Sequence, residues 1–266
     1  MSRRPLFVLG WLVFILVVIV AIFGPMRYDF AARVSTPFAP QGSAFWLGTD
    51  EQGRDIFTRL AYGARVSLLI GIGVQCIALF TGILLGVLAV YGPTWVRVAI
   101  LRLTDAMFAF PDILLAILII GVWGLGITPV VAALSITAWP SVVRLVKTQV
   151  ATLKDREFVI ASSALGGSTL YTVTRHVLPH LWGVLLAVSM VDLAGIILAE
   201  SALSFLGIGV QPPTPSWGTM INSARLDMAS HPTILIWPCL MLSLTIFALN
   251  FIGDGLRSMA DPKASG

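Results

Sequence analysis

Two acidic residues, Asp192 and Glu200, lie in a long apolar stretch of the sequence. They are eight residues apart, a little over two turns of an α-helix, so both side chains lie on roughly one helix face. Ionisable groups in such stretches usually face the interior of a helix bundle or a water-filled path. Two roles remain open: the pair lines a translocation path, or each side chain hydrogen-bonds to a neighbouring helix. An acid–base pair in an intramembrane enzyme is a third hypothesis.

The sequence lacks the motifs of common nucleotide, metal and acyl-transfer sites. It contains no Gly-Lys dipeptide, and therefore no G-x-x-x-x-G-K-[ST] phosphate loop. Pro179 separates His176 from His180, and His231 is expected at the opposite end of the helices, so the histidines predict no metal site. No G-x-S-x-G nucleophile elbow occurs. We therefore expect no catalytic residue, no metal and no cofactor in this chain.

The composition places the chain in a lipid bilayer. Hydrophobic residues make up 57% of the 266 positions and charged residues 11%, whereas a soluble domain carries about 25% charged residues. The hydrocarbon core of a bilayer is crossed by about 20 apolar residues in a helix, and the sequence has several such runs. Cys76 and Cys239 both fall inside apolar runs, so we expect them to be packing residues.

The apolar runs predict an all-α polytopic membrane protein with about six transmembrane helices. The first run, Leu6–Phe23, has 18 residues, which exceeds the roughly 7–15 of a signal peptide, and no A-x-A site follows it. We therefore expect an uncleaved first span. The other spans are predicted at Val66–Val90, Leu103–Val122, Thr128–Val146, Gly183–Gly209 and Thr233–Ile252.

The basic residues predict the orientation of these helices. With the N-terminus inside, the inner segments hold 11 Lys and Arg residues and the outer segments hold 6. The positive-inside rule then places both termini in the cytoplasm. An irregular loop from Pro25 to about Ala61 is expected outside, and Trp217 is expected to anchor at the headgroups on that side. Arg102 and Asp105 are expected to form a local i,i+3 pair near the inner surface.

A polar stretch, Asp155 to Leu181, separates the fourth and fifth spans. Its first part predicts a helix that ends at Gly166-Gly167, where glycine can leave helical φ/ψ values. Ser168 is the expected N-cap of a second helix, which Pro179 prevents from continuing unperturbed. The residues that share a face of the first helix are Phe158, Ala161, Ser162 and Leu165.

Small side chains at Ala161 and Ser162 would let another protein approach the first of these helices closely. The alternative is an amphipathic helix that lies on the lipid headgroups. A nucleic-acid-binding helix–turn–helix is the weaker alternative, because the segment is tethered between spans and has no basic recognition face.

The letters IASSALGGSTLYTVTRHVLPH in this stretch resemble the cytoplasmic E-A-A-x3-G-x9-I-x-L-P loop of the permease subunits of ATP-binding-cassette importers. Three further stretches are typical of the C-type permease of the dipeptide/oligopeptide/nickel branch: LGTDEQGRDIFTRLAYGARVSL, LAESALSFLGIGVQPPTPSWGTMI and NFIGDGLRSMADP. They occur in the expected order over nearly the whole chain. The loop positions that match are Ile160, Ala161 and Ser162 for E-A-A, Gly166 for the glycine, His176 for the isoleucine, and Leu178 with Pro179 at the end. Ile160, Ser162 and His180 depart from the usual residues of the branch.

The resemblance implies a type I importer transmembrane domain in which the loop forms a coupling helix docked on an ATPase subunit. Such a permease forms half of a translocation pathway, here for di- or oligopeptides, with nickel or another small solute as the alternative. The implied partners are a B-type permease, two ATPase subunits that use the ATP, and an external solute-binding protein, in a bacterial inner membrane. Glu200 lies in one of the matching stretches, which also allows a structural role throughout the branch.

The resemblance also divides the chain into three parts. We expect an N-terminal helix and extracytoplasmic loop over residues 1–62, a permease domain over 63–256, and a cytoplasmic tail over 257–266.

Overall fold

A computed structural model describes residues 4–260 of the chain. This part is helical, with no strand and one isolated β-bridge between Thr49 and Asp55. The residues of the expected tail beyond 260, and Arg3 and Lys263 from the charge count, lie outside it. The helices are α1 (Arg4–Phe23), α2 (Ile56–Tyr91), α3 (Thr94–Phe108), α4 (Asp112–Trp123), α5 (Ile127–Lys154), α6 (Glu157–Ala164), α7 (Thr169–Thr172), α8 (Leu178–Phe205), α9 (Trp217–Ala224) and α10 (Thr233–Ala260), with a 3₁₀ turn at Gly24–Met26 and a π-helical segment at Val173–Val177.

Five helical segments in the described part are long and apolar enough to cross a membrane, and the number is six if a bent pair of helices counts as one span. That pair is α3 and α4, which meet at an angle of 93°. The prediction of one continuous helix over Leu103–Val122 is therefore wrong. Pro111 explains the break, because it has no backbone N–H to donate and disfavours the helical conformation of Phe110. Pro111 instead precedes α4 in an extended conformation with ψ 125°.

The second helix begins ten residues before the predicted start at Val66. Asp55 explains this early start, because its carboxylate accepts a hydrogen bond from the Thr58 N–H at 2.8 Å. A side-chain acceptor at this position stabilises the first turn of a helix. Helix α2 therefore continues through the domain boundary expected after residue 62, and α10 likewise continues past the one expected after residue 256.

Helices α2 and α5 pack closely at two glycines of α2, whose backbone contacts valine side chains of α5. A Cβ at Gly82 would overlap Val142, and a Cβ at Gly86 would lie 2.6 Å from the Cβ of Val146. The Gly-x-x-x-Gly spacing of α2 thus brings the two helices close together.

The bundle has two distinct ends. The first, called here the loop end, consists of residues 27–55 and 206–232; the second, the turn end, consists of residues 155–177. At the loop end, Trp217 is fully buried and donates its indole N–H to the Leu60 carbonyl at 3.3 Å. The expectation of a headgroup anchor at Trp217 is therefore wrong, because the side chain is in the protein core. At the turn end, the Lys154 amino group lies 5.7 Å from the ring centroid of Tyr91.

Candidate functional site: the α6–α7 turn and a polar cavity

The link between α6 and α7 is a compact turn with a defined backbone structure. Gly166 has φ +86°, and its N–H donates to the Ser163 carbonyl at 3.1 Å. The Gly167 N–H donates to the Ser162 carbonyl at 2.9 Å. These two bonds form a Schellman motif, in which a left-handed residue ends the helix. Gly166 is therefore required for its φ value, whereas Gly167 is required for space, since a Cβ there would lie 2.7 Å from the Ser162 carbonyl oxygen.

The second half of the turn leads directly into α8. Ser168 caps α7 by accepting a hydrogen bond from the Tyr171 N–H at 3.2 Å, at the position predicted from the sequence. Pro179 does not end the helix; the chain passes through the π-helical segment Val173–Val177 and continues as α8. A π-helical segment is one way to accommodate the carbonyl that proline cannot bond. The turn and the fifth span are thus one continuous helical path.

Two valines of the segment from α6 to the π-helical residues, called here the turn, pack against the membrane helices. Val159 of α6 and Val177 of the π-helical segment are buried in one apolar cluster with Ala78 of α2, Val150 of α5 and Leu181 of α8. Burying such side chains contributes about 1.5–3 kcal/mol each. The turn is thus packed directly against α2, α5 and α8.

Aromatic side chains of α6 and α7 add contacts with two histidines, His180 and His176. The Phe158 ring stacks on His180, with centroids 4.7 Å apart, and the His180 ring nitrogen Nδ1 is 2.7 Å from the His176 carbonyl oxygen. The Tyr171 ring meets His176 edge-on at 5.7 Å. Among the remaining motif positions, His176 and Leu178 are half-buried and Pro179 is exposed.

The outer surface of the turn is apolar and exposed. Leu165 is 89% exposed, Leu170 is 74% exposed and Ile160 is 56% exposed. Ala161 lies on the same open surface. Exposed apolar patches of this kind mark contacts with another protein or with lipid.

Ser162 differs from its neighbour Ala161. Its hydroxyl lies 2.9 Å from the hydroxyl of Thr172, which is buried, and its carbonyl accepts the Gly167 N–H. The two small residues of the motif therefore have different surroundings: Ala161 faces outward, and Ser162 holds α6 against α7.

Glu200 is fully buried within the bundle. The Ser67 hydroxyl of α2 donates to Oε2 at 2.9 Å, and the Ser204 hydroxyl donates to Oε1 at 2.8 Å. The Ser204 oxygen in turn accepts the Val210 N–H at 3.0 Å. Of the two roles left open by the sequence, this geometry is that of a hydrogen-bonded partner for a neighbouring helix.

Asp192 has a different environment, in a cavity of about 290 Å³ bordered by α2, α3, α4, α5 and α8. Its polar lining residues are Gln75, Asp112, Thr137, Ser141 and Asp192. Glu200 is not among the lining residues. The cavity lies beside the break between α3 and α4, and Asp112 is the first residue after that break.

The sequence did not single out Asp112 or Gln75. Asp112 follows Pro111 inside an apolar run, which is the one signal that could have marked it. The expectation of a local pair between Arg102 and Asp105 is also wrong, because Asp105 pairs instead with Arg144 of α5, at 3.2 Å. A contact between helices thus replaces the predicted local pair.

Among residues 4–260 no group of three His, Cys, Asp or Glu side chains is arranged to hold a metal ion. Charged groups at the loop end instead pair with one another. Arg54 Nε lies 2.6 Å and Arg59 Nε lies 3.2 Å from Oδ2 of Asp50, in a buried network.

The family model for the inner membrane component of binding-protein-dependent transport systems matches residues 78–266. The chain belongs to this family. It is 42% identical over 263 residues to the di/tripeptide transport system permease protein DppC of Pseudomonas aeruginosa, with 96% of this chain and 87% of that protein covered. The oligopeptide transport system permease protein OppC of Bacillus subtilis is 34% identical over 98% of this chain and 86% of its own length. The glutathione transport system permease protein GsiD of Pectobacterium atrosepticum is 40% identical over 83% of this chain and 73% of its own length.

A solved structure has the same fold. A chain of the MetNI methionine ABC transporter, in an inward-facing conformation, superposes with a TM-score of 0.63 at 16% sequence identity, over 76% of this chain and 96% of that chain. The all-α fold of a type I importer permease, which the sequence predicted, is therefore confirmed.

Family membership fixes the general role of the protein. It is a multi-pass inner membrane component of an ATP-binding-cassette importer, and it is a transport subunit, not an enzyme. Such systems combine permease, ATPase and solute-binding protein. The acid–base role considered for Asp192 and Glu200 has no place in this family.

Proposed function

We propose that the protein is one of the two permeases of a di- or oligopeptide importer, paired with a homologous B-type permease, two ATPase subunits and an external solute-binding protein. The observation that carries the peptide assignment is the identity of 34–42% with permeases named for di/tripeptides and oligopeptides. The named relatives give no comparable support to nickel as the solute. The described residues also lack a cluster of three metal-ligating side chains.

The α6–α7 turn is the proposed dock for an ATPase subunit. Its exposed apolar residues Ile160, Leu165 and Leu170 are suited to a protein groove, and Val159 and Val177 join it to the transmembrane helices. Closure of the ATPase pair would move the turn, and the buried valines would transmit that movement to α2, α5 and α8. Switching between inward- and outward-facing states by such rigid-body movement is a common mechanism of coupling.

The proposed orientation follows from the charge distribution. The turn end and both termini lie in the cytoplasm, and the loop end faces outward, where it meets the binding protein. Cysteine labelling with an impermeant reagent tests this, in a variant that lacks Cys76 and Cys239. Cysteines at positions 41 and 213 should label in intact cells, whereas a cysteine at 167 should label only after the membrane is opened. Labelling of position 167 in intact cells would contradict both the orientation and the coupling role.

The function is tested by reconstituting the permease pair and the ATPases in liposomes. Peptide-loaded binding protein should stimulate ATP hydrolysis by the complex and drive ATP-dependent uptake of the labelled peptide. Neither effect should occur with buffer in place of the binding protein, or with the ATPases alone. Nickel uptake is measured in parallel. Stimulated ATPase activity with nickel uptake and no peptide uptake would overturn the peptide assignment and leave the importer assignment in place.

A further inference from the structure

The polar cavity beside Asp192 lies near the middle of the membrane helices. Gln75, Thr137 and Asp192 come from central turns of α2, α5 and α8. The broken span contributes Asp112, directly after its 93° bend. In secondary transporters, substrate sites lie near the bilayer midplane and are formed by discontinuous helices.

The charge of the cavity wall is negative. Among the described residues, Asp112 and Asp192 are the only ionisable ones that line it. Arg144 of α5 lies over the ring of Phe108, a lining residue, at 4.0 Å, and it is paired with Asp105 at 3.2 Å. The charge of Arg144 is thus offset by another carboxylate, and the two cavity carboxylates have no such partner among residues 4–260.

Gln75 provides a second and independent observation. Its side chain is only 6% exposed, and neither its amide oxygen nor its amide nitrogen has a hydrogen-bond partner among the described residues. Buried polar groups in proteins are hydrogen-bonded in the large majority of cases, so an unpartnered amide at the wall of a cavity indicates a polar occupant. An amide can donate to a carbonyl and accept from an N–H, which are the two groups of a peptide bond.

We propose that the cavity binds the free amino terminus of a peptide during translocation, with Asp112 and Asp192 around the ammonium group and Gln75 hydrogen-bonded to the adjacent peptide group. This proposal rests on the proposed peptide transport. A soft metal ion fits the cavity less well, because such ions prefer imidazole or thiolate ligands. Within residues 4–260, no group of three His, Cys, Asp or Glu side chains is arranged to hold a metal ion. The volume of about 290 Å³ is at the lower end of small-molecule sites, which suits one end of a peptide and not a whole oligopeptide.

The test compares carboxylate-to-amide substitutions inside and outside the cavity, in the reconstituted complex with saturating loaded binding protein. Asp192→Asn and Asp112→Asn remove the negative charge at nearly constant shape. Asp105→Asn is the matched control, because this carboxylate pairs with Arg144 at the surface and does not line the cavity. The measured quantities are initial uptake of trialanine and of N-acetyl-trialanine, each at a concentration that saturates the binding protein, and the stimulated rate of ATP hydrolysis.

Uptake of trialanine by either cavity variant should fall by about tenfold, the effect of one lost charge-assisted hydrogen bond. Stimulated ATP hydrolysis should persist, Asp105→Asn should resemble the parent, and N-acetyl-trialanine uptake should be unaffected by the three Asp→Asn substitutions. Gln75→Leu should reduce uptake of both peptides, because both retain the peptide group.

Three outcomes would overturn the proposal. Unchanged trialanine uptake in both cavity variants would show that the carboxylates do not bind the ammonium group. Equal losses for the free and the acetylated peptide would indicate a structural role instead. Loss of the complex from the membrane in Asp192→Asn alone would also indicate a structural role for Asp192. The proposal would then depend on Asp112→Asn: if this variant assembles normally, it should still lose uptake of trialanine and keep uptake of N-acetyl-trialanine. If the parent complex itself transports no peptide, the proposed function fails, which is separate from a failure of this site.

Discussion

Two carboxylates of one helix, Glu200 and Asp192, have opposite surroundings. Glu200 is fully buried and bonded to the hydroxyls of Ser67 and Ser204, whereas Asp192 lies at a polar cavity. The same contrast recurs at the turn end, where Ser162 bonds to Thr172 and Ala161 faces outward. In both comparisons, a residue bonded within the chain stands close to one without such a bond. We infer that Glu200 and Ser162 maintain the fold, and we propose that Asp192 and Ala161 are available to a solute and to a subunit.

The largest expected effect is on stability, at Glu200. Glu200→Leu removes the acceptor of two buried hydroxyls and should destabilise the protein by about 3 kcal/mol, because the Ser67 and Ser204 donors lose their partners. Thermal unfolding of the purified permease pair should show a Tm lower by several degrees. Glu200→Gln, which keeps an acceptor oxygen, should lose less. An unchanged Tm in Glu200→Leu, or an equal loss in Asp192→Asn, would remove the contrast between the two carboxylates.

The next effect concerns the backbone of the turn. Gly166→Val places a β-branched side chain at φ +86°, which costs about 1–3 kcal/mol and opposes the Schellman motif. Uptake should be lost or strongly reduced while the protein remains in the membrane. The matched control is Gly166→Asn, since asparagine tolerates this conformation, and open space surrounds the position. Normal uptake in Gly166→Val would show that the turn does not require a left-handed residue.

The contrast at the turn predicts different outcomes for two adjacent tryptophan substitutions. Ala161→Trp should leave the Tm unchanged and abolish co-purification of the ATPase subunits, because a packed interface has no room for the added side chain. Ser162→Trp should lower the Tm as well, since it breaks the bond to Thr172 and displaces α7. Both variants should still co-purify with the partner permease. ATPase binding retained in Ala161→Trp would favour a helix that lies on the lipid headgroups.

The smallest effect is expected at Ser67. Ser67→Ala removes one of the two close hydrogen bonds to Glu200 and leaves the bond from Ser204 in place. The loss of stability should be about 1 kcal/mol, the contribution of a single hydrogen bond. Tm and uptake are measured together, and uptake at a permissive temperature should be normal. A selective loss of uptake without a change in Tm would instead connect Glu200 to the translocation path.

Local signals in the sequence predicted the parts of the molecule that depend on neighbouring residues. Gly166-Gly167 and Ser168 predicted the end of α6 and the start of α7, because both motifs need only a few consecutive residues. Apolar length predicted five spans as single helices. The span predicted at Leu103–Val122 is a bent pair and not one continuous helix, because Pro111 has no N–H and interrupts the helix within the apolar run.

The sequence predicted neither the cavity nor which of the two open roles Glu200 has, because both depend on helix packing. Ser67 and Glu200 are 133 positions apart, so no window of sequence reveals their bond. Gln75, Asp112 and Asp192 come from three different helices. Sequence reasoning identified Asp192 and Glu200 as one pair, since their spacing gives a common helix face, yet each side chain meets a different neighbour.

The contact between the turn and an ATPase subunit is the central claim, and photo-crosslinking tests it most directly. A diazirine-bearing amino acid replaces Leu165, the most exposed apolar residue of the turn, and Pro213 at the loop end serves as the control position. In the assembled complex, illumination should join position 165 to an ATPase subunit, and position 213 should give no ATPase product. Crosslinks from position 165 to lipid alone, in a complex that retains its ATPases, would contradict the account.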